Sequence, residues 1–450
     1  MNKESIKSAI LIVLVCISLF LTWNMWSLQP YLQEVQDDTF FDSIPISSEK
    51  RELFEVIQPQ QLFIHTKDNH YSTLDNSLLE GLWMEMQDWE YTSSDQRISQ
   101  TFTEQKFNNW VHGLEEAKIE LRFFDQIPVE TIQSFFNWDT DKNESINFDR
   151  IFLNVPKENE TQKVYFVASD EMKMVETSVN LATANQYVSN LFNQREELPA
   201  YFAFYSNDGS EFMLPVNEVK LNSVQYVTNE ISAEKFKNAL FSNPRIVKQD
   251  VNLSKNRYTD GTRELNIYPN QHLVRYVNPI PFDTNAIEPN HLIDQSVSYI
   301  NDHGGWTDDY VLFNIDEFSQ KITYIMSLDS IPVINSVDEP YGPTMISQRW
   351  GQNEIAIYDR PLYQLNKSIA SQPQPTTLMS GKRVEELLVD SANFNDLDIK
   401  NIFVAYELGG SVEQSYANLT PAWCIELKDG RLLKIQDTKQ AVGGDDNGVE

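Results

Sequence analysis

The sequence has little of what builds disulfide frameworks, metal centres and the common catalytic sites. Its 450 residues include two cysteines and six histidines. Cys16 lies in an apolar run near the N-terminus and Cys424 near the opposite end, so we expect no intramolecular disulfide framework. Motifs such as G-x-S-x-G, G-x-x-x-x-G-K-[ST] and H-E-x-x-H are absent from the sequence. We therefore predict no catalytic residues, no metal site and no bound cofactor, and interpret the chain as non-enzymatic.

Positive charge is also scarce in this chain. There are 35 Lys and Arg residues against 66 Asp and Glu residues, which gives a net charge of −31. A surface of that sign repels nucleic acid and anionic lipid headgroups, so nucleic acid is excluded as a partner. The simpler explanation of the charge is that it keeps a large exported body soluble.

An apolar run long enough for a membrane lies near the start of the sequence. Residues 8–28 read SAILIVLVCISLFLTWNMWSL, and their core at 9–21 has no ionisable group except Cys16. About 20 apolar residues, each rising ~1.5 Å along a helix, cross a hydrocarbon layer of ~30 Å. We predict a transmembrane helix over residues 8–28.

The flanks of this segment indicate its orientation in the membrane. Lys3 and Lys7 precede the apolar core, and Trp23 and Trp26 follow it. Basic residues favour the cytoplasmic side, and tryptophan favours the membrane–water interface. We expect residues 1–7 in the cytoplasm, these four side chains as interface anchors, and a single-pass protein of the cell membrane with its C-terminal body outside the cell.

A cleaved signal peptide is the alternative, because it also combines a basic start with an apolar region. The residues that follow the apolar core at 22–26 are Thr, Trp, Asn, Met and Trp. Such bulky side chains do not suit a signal peptidase site, so we prefer the uncleaved anchor.

One face of the predicted helix is a candidate contact surface for partner helices. Its members recur at steps of three and four residues: Ser8, Leu11, Val15, Ser18 and Thr22. Small and hydroxylated residues let membrane helices approach closely and form hydrogen bonds between them. The alternative is that the hydroxyl groups of Ser18 and Thr22 bind carbonyl groups of their own helix.

The chain beyond the helix is predicted to be a multidomain α+β body. Helical and strand-like patterns alternate along it, and a helix followed by antiparallel strands occurs in both later parts. The expected divisions are a stalk at 29–45, an N-terminal α+β domain at 46–195, a central α+β domain at 196–370, a C-terminal α+β domain at 371–440 and a disordered tail at 441–450.

Local patterns predict several individual elements of this body. Apolar spacing over Ser77–Asp88 indicates a helix. Asn207-Asp208-Gly209 indicates a hairpin between two strand-like runs. A further helix is expected to run from Asn290 or Asp294 to Asn301, where the following Gly304-Gly305 pair ends it.

Residues 139–150 share some positions with a calcium-binding loop of the EF-hand type. The sixth position of such a loop requires glycine and the twelfth a bidentate carboxylate. This sequence has Glu144 and Arg150 there, so we interpret the segment as a polar loop without calcium.

Three segments together resemble a known family. They are KESIKSAILIVLVCISLFLTWNMW at 3–26, YTDGTRELNIYPNQHLVRYVNP at 258–279 and HGGWTDDYVLFNI at 303–315. With the length and element order of the whole chain, they resemble the YycH family of Firmicutes. The resemblance implies a membrane-anchored accessory regulator of the WalK (YycG) sensor histidine kinase, acting with a YycI-like protein in cell-wall homeostasis. It also implies that the two later domains are YycI-like.

The resemblance leaves the direction of regulation, activation or restraint, open. Two other classes remain as alternatives from the residues alone. One is a secreted or surface ligand-binding protein, and the other is a cell-wall hydrolase that lacks a recognisable motif.

Overall fold

The computed structural model describes most of the chain beyond residue 45 and part of the N-terminal segment. The described residues are Leu11 and residues 13–23, 46–47, 49–93, 103, 107, 110, 117–138, 146–157, 160–179, 182–206, 209–251, 254–280, 287–337, 341–351, 354–368, 374–390, 397–410 and 415–437.

The chain divides into two compact units, Met1–Asp42 and Ser43–Glu450. In the first unit, Leu11 and residues 13–23 are helical. Within the described residues, no helix combines the length and the apolar character needed to cross a membrane. Much of the span predicted at 8–28 lies outside the described residues.

The second unit, which we call the body, contains seven α-helices among its described residues. Their bounds are α1 Leu53–Val56, α2 Ser77–Gln87, α3 Val129–Gln133, α4 Ala182–Asn193, α5 Ala233–Leu240, α6 Pro289–Asp302 and α7 Gly381–Asp390. In α2 the side chains of Leu79, Leu82, Trp83 and Met86 are buried, which is the apolar stripe that the three-to-four spacing predicts.

Ten strands form the first sheet of the body. They are β1 Gln61–His65, β2 His70–Ser72, β3 Glu90–Ser93, β4 Lys118–Pro128, β5 Asn137–Trp138, β6 Asn147–Asn154, β7 Gln162–Ala168, β8 Lys173–Val179, β9 Ala200–Tyr205 and β10 Glu211–Pro215. Their order across the sheet is β10-β9-β2-β1-β4-β6-β7-β8-β3-β5. Neighbours run antiparallel except β3 and β5.

Fifteen strands form the second sheet. They are β11 Val219–Glu230, β12 Lys248–Val251, β13 Asn256–Thr259, β14 Glu264–Tyr268, β15 Leu273–Val277, β16 Tyr310–Asp316, β17 Lys321–Leu328, β18 Ile331–Asn335, β19 Met345–Trp350, β20 Ile355–Pro361, β21 Tyr363–Ser368, β22 Gln374–Leu378, β23 Ile399–Gly409, β24 Tyr416–Leu427 and β25 Leu432–Ile435. The main order is β12-β13-β14-β15-β20-β19-β17-β18-β23-β24-β11-β21, with β16, β22 and β25 paired beside it. The β18–β23 pair is parallel.

A shared core joins the two sheets. The largest apolar cluster contains buried residues of the first sheet, such as Ile64 and Ile119, and of the second, such as Ile322 and Tyr324. The α+β class predicted from the sequence is therefore confirmed, with β-sheet as the dominant element.

The first described residues of the body, 46–47 and 49–51, form a stretch that we call the entry segment. The backbone N–H of Arg51 donates to Asn301 Oδ1 over 2.9 Å, and Asn301 Nδ2 donates to the Arg51 carbonyl over 2.8 Å. Gly305 has φ +73°, and a Cβ there would lie 2.5 Å from the Glu49 carbonyl oxygen. The glycines that end α6 therefore also let the entry segment pack against that end.

Candidate functional site

The described part of the N-terminal segment includes four of the five residues of the predicted partner face. Leu11, Val15, Ser18 and Thr22 are helical, and Thr22 Oγ1 donates a hydrogen bond to the Ser18 carbonyl over 2.8 Å. That bond uses the Thr22 proton within its own helix, as the alternative interpretation expects. The oxygen of the hydroxyl group can still accept a bond from outside.

The remaining predicted N-terminal site residues are only partly described. Trp23 is 77% exposed, whereas Ser8, Lys3, Lys7 and Trp26 lie outside the described residues. Their roles as partner face and interface anchors remain predictions.

The segment with EF-hand-like spacing is described only at its end. Residues 139–145 lie outside the described set, while Arg150 at the twelfth position of the loop pairs with Glu120, with 3.3 Å between Nη1 and Oε1. Across the part of the chain that is described, no group of three or more His, Cys, Asp or Glu side chains is arranged to hold a metal ion.

A cleft with a volume of about 680 Å³ lies between the two sheets of the body. Strand β4 runs along it and has a bulge between Arg122 and Ile127. We call it the central cleft, and its lining includes Phe63, Arg122, Asp125, Arg150, Glu211 and Lys400.

A buried charge network centred on Glu120 lies beneath this cleft. Glu120 is 1% exposed. Its carboxylate lies 2.7 Å from Arg122 Nε, 3.3 Å from Arg150 Nη1 and 2.7 Å from His65 Nε2. Burial alone would raise the pKa of Glu120, but the charges of Arg122, Arg150 and His65 hold it well below its usual value. Glu211 accepts from Arg122 over 2.7 Å, so two carboxylates balance two guanidinium groups.

A pair of histidines extends this network to β2. The Nδ1 atoms of His65 and His70 lie 2.7 Å apart, so one of them donates a proton and the other accepts it. Burial, followed by the charge of His65, lowers the pKa of His70 to about 4. His70 therefore stays neutral over the range in which an exposed histidine gains a proton.

A second network crosses from the first sheet to the second. Asp125, in the β4 bulge, accepts from the Ile315 backbone N–H over 2.8 Å, and lies 3.3 Å from Lys400 Nζ. Lys400 also lies 3.1 Å from Glu426, which is fully buried. Burial raises the pKa of Glu426, although Lys400 and Asn401 partly oppose that shift. The network ties the β4 bulge to β16, β23 and β24.

An aromatic side chain reinforces this connection. Phe124, next to Asp125 in β4, belongs to an apolar cluster whose other members lie in the second sheet. Its ring centroid lies 5.1 Å from that of Phe313 and 5.4 Å from that of Phe403. At the bulge, Phe124 and Asp125 of the first sheet therefore both contact the second sheet.

The network of Glu120 lies within the first sheet. The ion pair of Asp125 with Lys400 and the ring contacts of Phe124 join the first sheet to the second. Sequence reasoning missed both networks because their members are far apart along the chain. Strand β4 gave little signal, since Lys118, Glu120 and Arg122 alternate with apolar residues as in a strand with one face in water. The structure covers that polar face, and a buried charge requires a partner of opposite sign.

Fold and cleft together define a sheet-rich α+β protein whose two large sheets are joined by shared apolar clusters and by the ion pair of Asp125 with Lys400. Two family models match the chain: "YycH protein, N-terminal domain" over residues 4–197 and "YycH protein, C-terminal domain" over residues 209–441. The chain belongs to the YycH family.

Comparison with individual proteins agrees with this assignment. The chain is 31% identical to "Two-component system WalR/WalK regulatory protein YycH" of Bacillus subtilis (strain 168), over an alignment 459 positions long that covers the full length of both proteins. The crystal structure of YycH from Bacillus subtilis matches with a TM-score of 0.75 and 30% identity, covering 86% of this chain and 98% of that one. The family resemblance seen in the sequence is confirmed, and so is the prediction of a non-enzymatic protein, because the family is one of regulatory proteins.

Proposed function

We propose that this chain regulates a WalK (YycG)-type sensor histidine kinase of a WalR/WalK two-component system, without catalysing a reaction itself. The observation that carries the proposal is the full-length similarity to a protein named as a WalR/WalK regulator, at 31% identity. Its cellular role would be cell-wall homeostasis, as the family resemblance implies.

The proposal includes a membrane anchor at residues 8–28, with the body outside the cell. It is supported by the apolar core, the basic residues ahead of it and the tryptophans behind it. The face formed by Ser18, Thr22 and their helical neighbours would contact partner helices. Each interhelical hydrogen bond contributes only ~0.6 kcal/mol on average, so contacts of the body would have to add to specificity.

The proposal also includes a YycI-like partner and the division of the body into domains at 46–195, 196–370 and 371–440. The two later domains would each combine a helix with antiparallel strands, as a YycI-like domain is expected to do. These boundaries and this partner rest on the sequence pattern and the family resemblance.

The regulatory role is tested by measuring phosphorylated WalR in cells that lack the chain, contain it, or contain a version in which an unrelated apolar helix replaces 8–28. The intact chain should change the phosphorylated fraction, and the helix-swapped version should recover only part of that change. Equal WalR phosphorylation with and without the chain would refute the proposal.

The anchor is tested separately with paired substitutions. Ser18→Leu with Thr22→Leu should weaken co-purification with the kinase, by a factor of roughly eight if two bonds of ~0.6 kcal/mol are lost. Cys16→Leu with Phe20→Leu changes the opposite helical face at the same spacing and should have little effect. If both pairs behave alike, this face is not the contact.

The topology is tested by adding protease to intact protoplasts, which should digest the body. A mature chain that starts near residue 25 in the medium would contradict the anchor.

A further inference from the structure

A smaller pocket, separate from the central cleft, lies between α1 and α2. Its volume is about 290 Å³, close to the lower end of the ~300–1,000 Å³ typical of ligand pockets. We call it the Trp83 pocket, and its lining includes Phe54, Glu55, Leu79, Glu80, Trp83 and Met84.

The walls of the Trp83 pocket suit an apolar side chain. Trp83 stacks on Phe54 with 6.0 Å between ring centroids and 9° between ring planes. Met84 is 62% exposed, although apolar side chains of its size are usually buried. An exposed methionine beside aromatic rings is a common feature of protein-binding surfaces, because its flexible thioether adapts to the group it meets.

The negative charge at the rim of the pocket favours a partner with a positive charge. Glu55 and Glu80 are both exposed at the pocket. The cation of the pocket, Arg51, is already paired with Asp309 at 2.5 Å. An acidic rim of this kind attracts a Lys or Arg side chain and repels an anionic lipid surface.

A second copy of the chain fits the pocket less well than a basic partner. Phe318 is a fully exposed aromatic residue of the body and would be a natural insert. It follows Asp316 and Glu317 in the sequence, so its insertion would bring like charges together at the rim.

We propose that the Trp83 pocket binds an apolar side chain of a partner polypeptide that carries Lys or Arg directly beside that side chain. The apolar side chain contacts Phe54, Leu79 and Met84, and the basic group pairs with Glu55 or Glu80. This site is independent of the regulatory role proposed above, because peptide binding is measured without the kinase.

The test uses the full chain labelled with 5-fluorotryptophan and the peptide acetyl-Gly-Leu-Lys-Gly-amide. The ¹⁹F signal of Trp83, assigned from its loss in Trp83→Phe, should shift saturably on titration. Replacing Leu by Gly in the peptide should weaken binding about ten- to a hundred-fold, as expected for loss of a buried apolar side chain. Replacing Lys by Glu should weaken it about two- to five-fold, the range of an exposed ion pair.

Charge reversal on the protein separates recognition from a structural effect. Glu80→Lys should invert the preference between the Lys and Glu peptides. Glu85→Lys makes the same change on α2 outside the pocket lining, and should leave the preference as it is.

The proposal is overturned if the Trp83 signal does not move, or if the two variants behave alike. A response to phosphatidylglycerol vesicles or to protein concentration, without a response to the peptide, would assign the pocket to a membrane or to a second copy and also overturn it.

Discussion

Removing the Phe124 ring is expected to lower the free energy of unfolding of the body by about 3–5 kcal/mol. The side chain is 3% exposed and lies against Phe313 and Phe403 of the other sheet. Alanine would leave a cavity at the junction of the two sheets, because neighbouring strands on both sides hold the surrounding residues in place. The full change in stability combines the lost apolar burial with that cavity.

The assay is urea unfolding of the full chain, followed by tryptophan fluorescence, for Phe124→Ala and for Phe318→Ala. The control makes the same chemical change at a fully exposed position, where we expect a change within about 0.5 kcal/mol. A Phe124→Ala variant no less stable than Phe318→Ala would refute the account of the sheet junction. A double-mutant cycle with Phe403→Ala should give a coupling of about 0.5–1.5 kcal/mol.

Three further predictions concern charge and backbone. Glu120→Gln should lower the unfolding free energy by about 1.5–3 kcal/mol in urea denaturation, because Arg122 and Arg150 lose a charged acceptor but keep Glu211 nearby. An unchanged midpoint would contradict the network. The pKa of His70, about 4 when folded and near 6.5 when unfolded, means that the unfolded chain gains the proton first. Stability should therefore fall as pH drops from 6.5 towards 4, by less than about 3 kcal/mol since the half-buried ring is screened. His70→Gln should make the melting temperature less dependent on pH over this range, whereas the same substitution at the exposed His291 should not. Gly305→Ala should cost at least about 1–2 kcal/mol in thermal melts, since alanine disfavours positive φ and its Cβ would collide with the Glu49 carbonyl; a wild-type melt would exclude this packing.

Local patterns in the sequence were sufficient for individual elements of the fold. The helix predicted over Ser77–Asp88 is α2 at Ser77–Gln87. The Asn-Asp-Gly signal predicted the β9–β10 hairpin, in which Tyr205 pairs with Glu211 and Gly209 has φ +87°. Both succeed because spacing within a helix and turn geometry depend on neighbours in sequence.

Pairings between distant segments could not be predicted in the same way. The β9–β10 hairpin joins the first sheet through β2, where Tyr201 pairs with His70. Strand β11 contacts three other strands, and its burial pattern lacks the strict alternation that identifies a strand from sequence. The charge networks belong to the same category, because Lys400 and Asp125 lie in different sheets and are far apart in the sequence.

The entry segment has a consequence for how the body responds to tension. A pull on the chain ahead of Ile46 meets first the hydrogen bond from the Ser47 N–H to the Gly304 carbonyl and then the bond from the Trp306 N–H to the Glu49 carbonyl. The hydrogen bonds between Arg51 and Asn301, at the end of α6, come next. Helix α6 is followed in the chain by β16, a strand of the second sheet. The first strand after the entry segment, β1, belongs instead to the first sheet. A force-spectroscopy record should therefore begin with detachment of the entry segment from α6, before any strand of the first sheet is extended. A force applied at the N-terminal end of the body therefore acts first on α6 and on the residues that follow it.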